Sequence, residues 1–73
     1  MAKDEWSQKA ANLLKAELKR AGVGYEELSS RLKQIGVEES YNGIASKITR
    51  GMFSFVFFLQ CMNVLNKTNI SIE

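Results

Sequence analysis

Residues 39–51, ESYNGIASKITRG, are polar and slight, yet they run directly into residues 52–65, MFSFVFFLQCMNVL, among the most apolar stretches of the chain. The first stretch reads as a helix over about Tyr41 to Arg50. Ser40 is placed to cap it, Gly51 to close it, and Tyr41, Ile44, Ala45 and Ile48 recur on one side at about 100° per residue. Asn42, Ser46, Thr49 and Arg50 fall on the opposite side, with Gly43 and Lys47 toward one flank. The second stretch predicts a helix from after Ser54 to about Asn66. Its main stripe is Phe55, Phe58, Leu59, Met62 and Leu65, and Phe57, Cys61 and Val64 make a second stripe on another side. A helix apolar nearly all round is either fully wrapped or serves an interface.

Upstream, two more helices are expected. One runs from about Glu5, capped by Asp4, to Ala21, with Trp6, Ala10, Leu13, Leu14, Leu18 and Ala21 on one side and Lys9, Lys15, Lys19 and Arg20 mostly on the other. Glu17 falls inside the apolar arc and is expected to pair with Arg31 or Arg20. The next spans about Tyr25 to Ile35, with Gly24 as N-cap, Glu26 and Glu27 at its positive end, and Leu28, Leu32 and Ile35 as its stripe. Proline is absent, and Gly22, Gly36 and Gly51 each follow a helical run, where a left-handed residue ends a helix. The turn from Lys33 to Ser40 holds few large anchors and is expected to be the loosest connection. The tail KTNISIE alternates Ile70 and Ile72 with polar residues, as a short extended segment would. The fold class expected is all-α: one compact four-helix domain over residues 1–73, its fourth helix packed among Trp6, Leu14, Leu28 and Ile48.

Seventy-three residues leave room for one small core. The chain has no histidine and a single cysteine, which excludes the usual zinc spacings and an internal disulfide, so no metal site is expected and a reducing, cytoplasmic setting is the simple reading. No apolar run reaches membrane-spanning length, and MAKDEWSQ lacks the apolar core of a signal peptide. No second carboxylate, metal-ligand cluster, phosphate loop or Ser-His arrangement accompanies Glu17, so neither catalytic residues, a cofactor nor a small-molecule substrate is expected. The net charge is only +2, but seven of the eight acids lie in residues 4 to 39. From Ser40 to Ile72 there are three bases and no acid, which gives the second half a mild positive field.

The run LKRAGVGYEELSSRL resembles the start of the helix-turn-helix domain of phage-repressor-like regulators, and IGVEESYNGIASKITRG resembles that family's third helix with its closing glycine. Together these cover roughly residues 14 to 66. WSQKAANLLKAELKRAGVGYEELSSRLKQIGVEE and KITRGMFSFVFFLQCMNVL are similar, more specifically, to a small bacterial domain family of unknown function with a helix-turn-helix-like arrangement. Two differences from repressors stand out. Twelve residues separate Leu32 from Ile44, so the turn between the middle helices is longer, and Tyr25 stands where repressors often carry a glutamine that reaches a phosphate.

The expected function is therefore DNA binding, as in a transcriptional regulator, with the third helix in the major groove of double-stranded DNA. Asn42, Ser46 and Arg50 recur at i, i+4 and i+8 as base-contacting groups. Lys47 and Thr49 would meet phosphate, Ser40 and Tyr41 lie at the leading end, and Tyr25 and Arg31 would assist from the second helix. The stripe Phe57, Cys61 and Val64 is expected to be too wide for the first three helices to cover, and so to form a homodimer interface. The competing reading, from another class, is a protein-interaction or dimerisation module built on the apolar fourth helix and the tail, without DNA binding.

Overall fold

In a computed structural model, residues 5–67 are described. Among them the chain forms four helices in sequence: α1 (Glu5–Ala21), α2 (Tyr25–Gln34), α3 (Tyr41–Arg50) and α4 (Phe55–Val64). The protein is thus an all-α four-helix domain. The expected Asp4 cap and the extended tail beyond Lys67 lie outside the described residues.

Local chemistry sets the helix boundaries. The Ser40 and Ser54 hydroxyls accept hydrogen bonds from the backbone N–H groups of Gly43 and Phe57, each at 3.0 Å, and so satisfy donors that the first helical turn leaves unpaired. Gly24 precedes α2 without a side-chain cap. Three helices end alike. Beyond α1, Val23 N–H donates to Leu18 O and Gly22 N–H to Lys19 O; beyond α2, Val37 to Leu32 and Gly36 to Lys33; beyond α4, Lys67 to Met62 and Asn66 to Asn63. This paired pattern needs a left-handed residue at its corner, supplied by Gly22 (φ 71°), Gly36 (φ 82°) and, in place of a glycine, Asn66 (φ 60°).

Gly51 (φ 68°) has a second reason to be glycine. A Cβ there would lie 1.8 Å from the carbonyl oxygen of Ser7, so the end of α3 presses directly on the backbone of the first turn of α1. The α3 helix packs on α1 and α2, and α2 also packs on α4. Between them lies one core of Leu14, Leu18, Val23, Leu28, Leu32, Ile44, Ile48, Phe57, Phe58, Cys61, Met62 and Leu65. The radius of gyration, 11.6 Å, matches the ~11 Å of a compact chain of this length.

Three expectations are corrected by this packing. Trp6 is 75% exposed rather than part of the core. Ile35 follows the end of α2 and is 46% exposed. On α4 the buried arc falls between the two expected stripes: it takes Phe58, Met62 and Leu65 from one and Phe57 and Cys61 from the other, leaving Phe55, Val56 and Leu59 outside. A dimer through Phe57, Cys61 and Val64 would need those side chains at the surface, but Phe57 and Cys61 are interior and Val64 is half-buried against the core. The turn from Lys33 to Ser40 is tethered at its middle and at its far end. Val37 packs on the core, and Ser29 Oγ–H donates to the carbonyl of Glu39.

Candidate nucleic-acid interface

Ile44 and Ile48 are wholly buried and fix the roll of α3. With that side held, Asn42, Ser46, Thr49 and Arg50 are all exposed. From Asn42 to Arg50 they extend about 12 Å along the axis at about 1.5 Å per residue. That is the length of three to four base-pair steps at about 3.4 Å each. Tyr41, 54% exposed, stands at the leading end of α3, and its ring meets the half-buried ring of Tyr25 edge-on at 5.9 Å. The first turns of α2 and α3 are therefore side by side. Ser40 belongs to this end, but its oxygen caps α3.

Two expected members stand apart from this group. The Nζ of Lys47 turns across to α4, pairs with the Glu39 carboxylate and lies 4.9 Å from the centre of the Phe57 ring, a cation over an aromatic face. Arg31 faces the end of α4. Its guanidinium forms an ion pair with Glu27 at 2.6 Å and donates to the carbonyl of Val64 at 3.1 Å, filling an acceptor near the α4 C-terminus. It borders an open cleft of about 370 Å³ lined by Arg31, Gln34, Ile35, Asn63, Val64 and Asn66.

The acid-free second half of the sequence is not acid-free in space. Glu39 meets Lys47, and Glu17, only 5% exposed, holds Arg20 at 2.8 Å with Lys67 at 3.9 Å. Glu17 does pair with Arg20, the partner expected one turn away. On α3 this leaves Arg50 as the base without an ion pair among the described residues. Glu26, Glu27 and Glu38 are exposed at or just before the starts of α2 and α3, where they favour the helix dipoles and disfavour a phosphate.

Cys61 is fully buried beside this Glu39–Lys47 pair. Burial, and next the Glu39 charge, push its thiol up to about 12, while Lys47 partly opposes the shift. A thiol so protonated is no nucleophile at neutral pH. Among the described residues there is no cluster of metal-ligating side chains, and no helix is long and apolar enough to cross a membrane.

Sequence reasoning missed Glu39. Its signal was faint: an acid immediately before the Ser40 cap, eight residues from Lys47, with no helical spacing to link the two. Compared with known proteins, residues 6–70 match a family model described as a domain of unknown function. No curated protein and no solved structure matches the chain.

Proposed function

We propose that this chain, which belongs to the DUF6471 family of domains of unknown function, is a double-stranded DNA-binding module of the helix-turn-helix kind, a transcriptional regulator that lays the outer side of α3 in the major groove. One observation carries the reading. Buried Ile44 and Ile48 hold α3 against α1 and α2 so that Asn42, Ser46, Thr49 and Arg50 all point away from the core. Asparagine can pair with the N6 and N7 edge of adenine, arginine with O6 and N7 of guanine, and the hydroxyls with bases or phosphate. Tyr25 and Tyr41, in contact with each other, can donate to a phosphate at the leading end. Because Lys47 is held by Glu39 and Arg50 is assigned to a base edge, α3 itself neutralises little phosphate charge, and the salt dependence of binding is shallow.

The test is a titration of the purified chain against random and genomic fragments at two salt concentrations. Asn42→Ala and Arg50→Ala should remove discrimination at particular base pairs, by about 1–3 kcal/mol for a bidentate contact. A wild type without DNA affinity at low ionic strength sinks the reading.

A second reading, an interaction module without DNA binding, is favoured by the exposed Met52, Phe55, Val56 and Leu59. Its signature is complex formation by a chain that leaves DNA alone.

A further inference from the structure

Ion pairing leaves most of the uncompensated positive charge of this molecule on one helix. Among the described residues Arg20, Arg31, Lys47 and Lys67 each meet a carboxylate, whereas Lys9, Lys15, Lys19, Lys33 and Arg50 form no ion pair. Three of those five lie on α1. At about 100° per residue Lys9, Lys15 and Lys19 fall within an arc of about 120° on its outer side and span about 15 Å of the axis. All three are exposed, and between them lie Gln8 and Asn12, joined by a hydrogen bond of 3.1 Å. Glu5, in the first turn, is the one exposed acid of α1, because Glu17 is buried and held by Arg20. Lys9 lies 5.2 Å from the centre of the Trp6 ring, a contact that leaves its charge unneutralised. We propose that this outer side of α1 is a contact surface for the phosphate backbone of double-stranded DNA.

The composition of the strip selects that partner. Phosphate oxygens are met by lysine, arginine and side-chain amides, the groups that α1 turns outward. A protein partner would need an apolar centre to bury, and lysine is depleted from such interfaces; no large apolar side chain stands between these lysines. A membrane surface would need the helix to insert an apolar side, but Ala11, Leu14 and Leu18 are already buried in the core. Placement adds to this. The strip begins next to the last turn of α3, since the carbonyl of Ser7 abuts Gly51, the residue after Arg50. With little phosphate charge neutralised from α3 itself, the cationic share of binding falls to α1. The inference rests on the reading of the chain as DNA-binding, and not on which α3 side chains meet the bases.

The test is a titration of the full chain against random-sequence duplex over a series of salt concentrations. Three phosphate contacts give a slope of about 2.7, shallow beside that of a protein making about 6–10 such contacts. Lys9→Gln, Lys15→Gln and Lys19→Gln should each lower the slope by about one, and the triple variant should lose nearly all affinity for random duplex while its helical circular dichroism is kept. Lys33→Gln removes the same charge from α2, off the strip, and should leave the slope as in the wild type. A triple variant with the wild-type slope overturns the inference and leaves the α3 reading standing. A Lys33→Gln variant that lowers the slope as much as the α1 variants overturns it too, because net charge alone would then be at work. If the α1 variants behave as expected while Asn42→Ala and Arg50→Ala leave base-pair discrimination unchanged, the α1 surface holds and the α3 reading fails. A wild type that binds phosphatidylserine vesicles or an acidic peptide through these lysines, and not duplex, overturns both.

Discussion

Two glycines with nearly the same backbone angle are under different constraints. Gly36, at φ 82°, has nothing within 4 Å of where a Cβ would stand, so Gly36→Ala meets only the left-handed penalty, about 1–2 kcal/mol. Gly51→Ala must also push apart the backbones of α1 and α3. It should cost on the order of 4 kcal/mol or more, and thermal unfolding of the two variants side by side would show the gap. Cys61 carries a pH dependence. Its folded pKa, about 12, lies above its ordinary value of 9.0, so the folded state holds the proton more tightly. The stability this contributes is complete below about pH 9 and is lost as pH rises toward 12. Cys61→Ala should flatten the alkaline decline in denaturant midpoint relative to wild type. An unchanged decline would mean that the thiol is not the group responsible.

The α3 helix has its own punctuation, a serine cap and a closing glycine, and its boundaries follow from them. Ser40→Ala and Ser54→Ala should each cost about 1 kcal/mol, since each strands one backbone donor. The charge arrangement around α3 gives a sharper test. If DNA is bound as proposed, Lys47→Ala should barely alter the salt slope, because Lys47 is held by Glu39 over the Phe57 ring. Glu39→Gln should release the ammonium, raise affinity for random DNA and steepen the slope by about one. A Lys47→Ala variant that alone lowers the slope by about one would show that the pair opens on binding. The outer side of α3 could be read along the sequence because Ile44 and Ile48, four apart, fix which way it faces. The inward turn of Lys47 could not, because its partners come from the preceding turn and from α4.

At the scale of the whole molecule, Trp6→Ala should change stability by less than about 0.5 kcal/mol, since the indole is three-quarters exposed, whereas Leu28→Ala in the closed core should cost about 2–5 kcal/mol. Equal losses in a denaturant titration would mean that Trp6 is in the core after all. The sequence by itself determined four helices, the Gly24 and Ser40 N-caps, the glycine stops and most of the inward sides of α1, α2 and α3, with Trp6, Ile35 and Tyr41 as the exceptions. Each of these rests on a signal only a few residues long: a cap spaced from its donor, a left-handed corner, or an apolar period of 3.6. Only the tertiary structure decided which way α4 is rolled and which charges neutralise one another. A helix apolar nearly all round carries no periodic signal to choose its buried side, so the choice fell to the shape of the surface that α1 to α3 present. Charge pairing depends on proximity in space, and Glu39 with Lys47 and Glu17 with Lys67 came together only once the helices were packed.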